Sequence, residues 1–333
     1  MTSARGQRAA PTPTEVGLGE QPKDVSASTT ATEQARARID EQLRALLRHQ
    51  DGTREGKDPE ELHQFRVAIR RLRSVLKAVP SLTGEARSAT DTRPPEQAPF
   101  ARYTAADLRD ELRWLGDLTN PVRDLDVLLM RLRAETAGFD DDELAAAERL
   151  MSALVKERGT HRMALGRALS SARYQAMLTG LATLANGDGD DARDPLTGTT
   201  FVSSLRKPYR ALRKAIDDLG DDPEDAQLHD LRIKGKRLRY TAETALPAAK
   251  PSDVKRLTKL IKAAKRLQDV LGVHQDAVVA AKRVRELGAE QDEPLPAFVA
   301  GRLVEREMAR KAQARADLSG RCQKVLKRAK PLV

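Results

Sequence analysis

Between Leu62 and Leu76 the chain carries two stripes side by side, and a partly buried helix is the structure that accommodates both. Leu62, Phe65, Ile69, Leu72 and Leu76 recur at steps of three and four and form one apolar face. His63, Arg66, Arg70, Arg73 and Lys77 recur at the same steps one residue on and form a wholly basic face, with Arg71 beside it. At a rise of about 1.5 Å per residue, His63 to Arg73 spans roughly 15 Å. No acid stands between Glu61 and Lys77, so the i,i+4 pairs that normally ease a charged helix face are missing. Like charges along one face repel, and an anion lying against them relieves the repulsion.

The pattern returns at an offset of 166 residues. His229, Arg232, Lys236 and Arg239 match His63, Arg66, Arg70 and Arg73, with Arg237 beside them, while Leu228, Leu231 and Leu238 match Leu62, Phe65 and Leu72. Gly235 replaces Ile69 and weakens the second helix locally. The same offset pairs Leu205, Tyr209 and Leu212 with Ile39, Leu43 and Leu46, and Arg210 and Lys214 with Arg44 and Arg48. An internal repeat of this kind implies two copies of one helical arrangement.

Only 3% of the 333 residues are aromatic, and Ala, Leu and Arg dominate, which favours helix over sheet. The net charge of +10 and pI near 9.8 point to an anionic partner: nucleic acid, an acidic membrane surface or a phosphate polymer. Cys322 is the single cysteine, which excludes an internal disulfide and a cysteine zinc cluster. The N-terminus has no apolar signal core and no stretch reaches 18 apolar residues, so the expectation is a cytoplasmic protein without membrane insertion.

Residues 1–33 are rich in Pro, Gly, Ser, Thr and Gln and are expected to be a disordered tail. Residues 34–185 read as a first four-helix repeat. Its helices begin near Glu33, at Asp58-Pro59 and near Thr104, with a loop over 51–57, an interruption at Asn120-Pro121 and a break near Gly159. The Gly- and Asp-rich stretch 186–200 reads as a linker, and 201–330 as a second four-helix repeat. It carries a helix from about Glu224 to Ala245, an acid-free basic run at Lys255, Lys259, Lys262, Lys265 and Arg266, and a final helix with Arg302, Arg306, Arg310 and Arg315. The fold class is all-α: two pseudo-symmetric four-helix bundle repeats packed antiparallel.

Common catalytic signatures are missing. Gly235-Lys236 lacks the upstream glycine and following hydroxyl of a phosphate loop, and no metalloprotease, nucleophile-elbow or dinucleotide motif occurs. Asp117, Asp124, Asp126, Asp269 and Asp276 lie near the interrupted helices, where a carboxylate cluster can hold magnesium for phosphoryl chemistry. The preferred reading gives Arg123, Asp124 and Asp276 structural roles, with no metal and no cofactor. Each histidine heads a basic stripe, where imidazole donates to phosphate oxygens, and the guanidinium fork suits the same oxygens. Trp114 and the tyrosines do not interleave with the basic runs, so base stacking is disfavoured; weak nucleic-acid binding through charge remains an alternative.

The paired helices His63-x-x-Arg66-x-x-x-Arg70-Arg71-Leu72-Arg73 and His229-x-x-Arg232-x-x-x-Lys236-Arg237-Leu238-Arg239 resemble those of the CHAD domain, the conserved histidine alpha-helical domain. Val122-Arg123-Asp124-Leu125-Asp126-Val127 resembles its later element, and Leu271-Gly272-Val273-His274-Gln275-Asp276 a second copy, at an offset of 152. Asn120 and Gln275 depart from the family pattern, which often has glycine and arginine there. The resemblance covers about 34–330. It implies a pair of four-helix bundles binding inorganic polyphosphate, with the basic stripes lining a pore or furrow, and association with polyphosphate granules; the candidate polyphosphate ligands are then the basic residues of both histidine helices together with Arg44, Arg48, Arg210, Lys214, Lys255, Lys259, Lys262, Lys265 and Arg266. Some relatives carry a fused triphosphatase-like domain, for which 1–33 leaves no room, so the expectation is a non-enzymatic binding module. The alternatives are a nucleic-acid-binding protein and a metal-dependent polyphosphate-processing enzyme.

Overall fold

The computed structural model describes residues 10–22, 31–78, 103–187, 203–246 and 249–333. Among them are ten α-helices, one short 3-10 turn at Lys330–Leu332 and no strand. The helices are α1 (Ala31–Arg48), α2 (Gln50–Glu55), α3 (Pro59–Ala78), α4 (Ala105–Ala134), α5 (Asp141–Leu169), α6 (Ala172–Asn186), α7 (Arg206–Asp217), α8 (Asp225–Ala245), α9 (Pro251–Ala289) and α10 (Pro294–Ala329). The chain forms two compact units, Met1–Met130 with Leu154–Asp194, and Arg131–Ala153 with Pro195–Val333. This differs from the expected division at 34–185 and 201–330, because the end of α4 and the start of α5 group with the second unit.

In the first unit, α1 contributes Ile39, Leu43 and Leu46 to the core, α3 contributes Phe65 and Leu72, α4 contributes Leu108, Leu112 and Leu115, and α6 contributes Tyr174 and Leu181. The start of α3 is set by Asp58, whose Oδ1 accepts from the Glu60 amide at 2.8 Å, with Pro59 at the first helical position. Thr104 and Asp107 cap α4 reciprocally: the Thr104 amide donates to Asp107 Oδ2 at 2.9 Å and the Asp107 amide to Thr104 Oγ1 at 3.1 Å.

Three expectations for this unit are corrected. The stretch 51–57 is not simply a loop: Gln50–Glu55 is a short helix, anchored where the buried Tyr174 hydroxyl donates to Gln50 Oε1 at 2.7 Å. Asn120-Pro121 does not interrupt α4. Proline removes one amide donor, but Leu115, Val122 and Leu129 keep the apolar face continuous, and packing outweighs one lost bond. The long helix passes through Gly159 and ends instead at Leu169; Ser171 then caps α6 by accepting from the Tyr174 amide.

The expectation of a disordered 1–33 is also corrected for residues 10–22, which pack on the first unit. Val16 and Leu18 are each 3% exposed within its core. The Ala10 amide donates to the Asp51 carboxylate at 3.0 Å, Arg44 donates to the carbonyls of Gly19 and Gln21 at 2.6 and 3.1 Å, and Asn186 donates to Gly17 O. Gly17 has φ +96°, a turn conformation that favours glycine. Two buried apolar side chains together with these hydrogen bonds dock a segment whose composition is otherwise that of a tail. Leu18→Ala is expected to cost about 2 kcal/mol in urea-monitored unfolding; an unchanged midpoint contradicts this packing.

In the second unit α7, α8, α9 and α10 surround a core built on Leu205, Leu212, Leu231, Leu238, Leu260, Leu267, Leu318 and Val325. Glu224 caps α8 in a box with Gln227, its amide donating to Gln227 Oε1 at 2.8 Å. The arginines of α10 hold the α4–α5 turn within this unit: Arg302 pairs with Glu143, Arg310 with Glu135, and Arg306 donates to the Glu135 and Ala137 carbonyls. The guanidiniums of Arg302 and Arg306 lie 4.1 and 4.8 Å from the Phe139 ring centre.

Candidate functional site

On α3 the two stripes separate as their spacing requires. Leu62, Phe65, Ile69, Leu72 and Leu76 are buried; Arg70, Arg71 and Lys77 are exposed; His63, Arg66 and Arg73 are half-buried along the border. Among the described residues Arg70, Arg73 and Lys77 have no ion pair or hydrogen bond, and Arg71 reaches only Gln42 Oε1 at 3.5 Å. Arg66 is differently placed. It donates to the Thr119 and Asn120 carbonyls at 3.3 and 3.2 Å, just before Pro121, and lies 3.9 Å from Asp124. Its guanidinium therefore serves the α3–α4 junction, with an edge left exposed. Arg123 donates to the Pro59 carbonyl at 3.1 Å, tying α4 to the start of α3, while Asp124 is largely exposed beside Arg66.

His63 sits among cations. Burial pushes its pKa below the ordinary value, and Arg123, Arg70 and Arg66 push it further down, against the upward pull of Glu60. It is therefore neutral near pH 7 in the free protein.

Arg44 does not join this surface. It is held by Asp40 at 2.9 Å and by the carbonyls of Gly19 and Gln21, so the expectation that it contacts the polyanion is corrected: the docked 10–22 segment takes up its donors. Arg48, four residues on, is exposed.

On α8 the same separation holds. Leu228, Leu231 and Leu238 are buried; His229 and Arg237 are exposed; Arg232, Lys236 and Arg239 are half-buried. His229 Nδ1 lies 3.0 Å from Gln275 Oε1, so the residue that departs from the family pattern partners the histidine. Arg232 has no ion pair among the described residues, and its buried Nε lacks a hydrogen-bond partner. Arg239 lies over the Tyr240 ring at 4.8 Å and 3.5 Å from Glu243. Arg210 and Lys214 on α7, and Lys255, Lys259, Lys262, Lys265 and Arg266 on α9, are exposed. The Asp276 carbonyl accepts from Arg131, which places this residue in a structural contact.

Sequence reasoning missed one cluster in the second unit. His274, 2% exposed, lies 3.2 Å from Asp225, and Arg315 Nε donates to its Nε2 at 3.3 Å. Asp225 also holds Lys311 at 2.7 Å and Arg315 at 2.8 Å, which keeps its carboxyl below the ordinary range against the upward effect of burial. The signal was His274 itself, a polar residue on the apolar face of α9. The cluster joins α8, α9 and α10 and leaves no open coordination: among the described residues no group of three or more His, Cys, Asp or Glu side chains is placed to hold a metal ion. No helix among them is long and apolar enough to cross a membrane.

Comparison with known proteins agrees with this architecture. The crystal structure of the CHAD domain from the plant Ricinus communis superposes with a TM-score of 0.64 at 28% identity, covering 92% of this chain and 94% of that one. PptA from Streptomyces chartreusis shares the fold at a TM-score of 0.58 and 20% identity, covering 88% and 98%. Uncharacterized protein Rv2226 of Mycobacterium tuberculosis H37Rv is 31% identical over 284 residues, or 80% of this chain and 47% of that protein, and MT2285 of strain CDC 1551 is 30% identical over the same length. The chain thus spans about half the length of the curated relatives it matches. The CHAD domain family model matches residues 37–93 and 97–285, taking in both histidine helices, and the chain belongs to this family, which is associated with polyphosphate binding in general.

Proposed function

We propose that this protein binds inorganic polyphosphate through the basic edges of α3 and α8, without catalysing a reaction on it, and that it serves at polyphosphate granules in the cytoplasm. The observation that carries the reading is the pair of cationic edges, each beside a wholly buried apolar stripe, on which the exposed Arg70 and Arg237 and the half-buried Arg73 and Arg232 lack acidic partners among the described residues. Surface arginines normally find carboxylates, and a run that does not is suited to a ligand bringing its own negative charge. A flexible phosphate chain matches this better than a base-reading surface: of the aromatics near the edges, Phe65 is fully buried and Tyr240 lies under Arg239.

The test is a competition titration at near-physiological salt. Labelled long-chain polyphosphate bound to the full chain is challenged with duplex DNA, RNA and orthophosphate. Selective displacement by unlabelled polyphosphate is expected; equal displacement by DNA or RNA per charge makes the protein a general polyanion or nucleic-acid binder instead.

A pH dependence follows from His63. Its pKa lies below the ordinary value in the free protein, and a bound phosphate raises it, so binding takes up a proton. Affinity should therefore rise as pH falls through the window between the bound and free values, by at most about tenfold per pH unit for one proton. His63→Gln is expected to flatten the affinity profile between mildly alkaline and mildly acidic pH. A variant with the wild-type slope removes His63 from the contact.

A further inference from the structure

The basic run on α9 was grouped by sequence with the histidine helices, but its register places most of it elsewhere in the second unit. Two contacts fix which side of α9 meets α10. A β-carbon at Gly288 would fall 2.7 Å from Ala300, and His274 meets Arg315. Counting back from His274 by threes and fours leads through Val270, Arg266 and Ala263 to Lys259, with Lys262 and Lys255 one step outward. Lys265 lies on a different stripe, with Gln268, Gly272 and Gln275, and Gln275 is the residue that meets His229 on α8.

On α10 the edge facing the end of α7 is marked by a cavity of about 510 Å³ lined by Ile216, Leu219, Arg315, Ser319, Cys322 and Gln323. The opposite edge, across the buried Leu318, Val325 and Ala329, carries Arg321, Lys324 and Arg328 at steps of three and four. The helices run antiparallel in a register that pairs Gly288 with Ala300 and His274 with Arg315. That register sets Arg266, Lys262 and Lys259 against the stretch from Arg321 to Arg328.

We infer that the outer seam between α9 and α10, formed by Lys255, Lys259, Lys262, Arg266, Arg321, Lys324 and Arg328, is a second polyanion-binding surface, separate from the α8 edge, that takes another length of a long phosphate chain. None of the seven has an ion pair or hydrogen bond among the described residues. No acid occurs between Val254 and Gln268 or after Asp317, so Asp269 and Asp317 close the seam at one end. Lys255 to Arg266 extends about 16 Å along α9. Phe298 is the sole aromatic from Lys250 to the C-terminus, so the surface offers charge without stacking platforms, which suits phosphate rather than bases. The inference rests on the polyphosphate reading above and adds that long chains engage two surfaces at once, gaining affinity through effective concentration.

The experiment compares short and long inorganic polyphosphate on the full chain, for wild type and for the quadruple variant Lys259→Gln, Lys262→Gln, Lys324→Gln, Arg328→Gln. The variant is expected to lose about tenfold in affinity for long chains while short-chain affinity stays within about twofold, and Lys→Arg at the three lysines should restore wild-type behaviour. Far-UV circular dichroism checks the fold; the pair Lys262→Gln, Lys324→Gln replaces the quadruple variant if that one does not fold, with a smaller loss of the same pattern. An unchanged long-chain affinity overturns the second surface while leaving the polyphosphate reading intact. An equal loss for both lengths also overturns it, because the seam then belongs to the primary site. Wild type that binds neither length overturns the functional reading, and the seam with it.

Discussion

Replacing Arg70, Arg73, Arg232 and Lys236 together by Gln is expected to weaken polyphosphate binding by about 100-fold or more with helicity unchanged. The four lie on the basic edges of α3 and α8, Arg70 exposed and Arg73, Arg232 and Lys236 half-buried at the border of the apolar stripes. If each cation–phosphate contact contributes about 0.7–1 kcal/mol in screened solvent, four contribute roughly 3–4 kcal/mol, and every 1.4 kcal/mol is tenfold in affinity. The salt dependence should soften as well, by roughly 0.7–0.9 in log–log slope per contact removed if the rule established for nucleic acids carries over. Arg66 is left out of this set deliberately. Its bonds to the Thr119 and Asn120 carbonyls make Arg66→Gln a stability variant as much as a binding one, and a combined loss there would not be interpretable. Isothermal titration at two salt concentrations, beside urea unfolding, separates the effects. Wild-type affinity in the folded quadruple variant removes the histidine helices from the site.

The parts of this architecture legible in the sequence are those governed by periodicity. Phe65 and Leu231, matched at a single offset, are both fully buried, and the cations one residue on stand at the border or outside. Helix-spaced stripes determine which side faces the core whatever the neighbours are, so these assignments survive. What failed depended on partners distant in sequence. Pro121 looked like a break because the local cost of proline is visible and the compensating face of α4 is not. Arg44 reads as a ligand because it matches Arg210 at the 166-residue offset; nothing local announces that residues 19 and 21 supply its acceptors. The arginines of α10 had no assigned role, and three of them hold a turn more than 150 residues earlier. The run from Lys255 to Arg266 was legible as basic but not as divided: one helix presents its charges to two neighbours, and only contacts with α8 and α10 show which charge belongs to which.

Arg131→Met is expected to destabilise the second unit by about 3–5 kcal/mol, because it strands a buried carboxylate. Glu307 is completely buried on α10, its Oε1 3.0 Å from Arg131 Nε, and Arg131 also donates to the Asp276 carbonyl on α9. The pair is imperfect. Both carboxylate oxygens lack a hydrogen bond of good geometry, Arg310 stands off at 3.9 Å, and burial pushes the Glu307 pKa above its ordinary value despite Arg131. The sign of the pH dependence follows. With its folded pKa raised, Glu307 holds its proton in the folded state where the unfolded chain has released it, so its contribution to stability declines as pH rises from the unfolded value through the folded one. Glu307→Gln, which retains shape without charge, should cost much less than Arg131→Met and should reduce that decline. The double variant Arg131→Met, Glu307→Met should recover most of the loss, since two apolar side chains of similar volume replace a costly buried ion pair. Urea unfolding of these four proteins and of Glu307→Met alone, at neutral and mildly acidic pH, closes the cycle and gives the coupling directly. Additive single effects, with no recovery in the double variant, mean that the α4 terminus is held by packing and by the Arg302, Arg306 and Arg310 contacts alone, and that the ion pair is incidental to it.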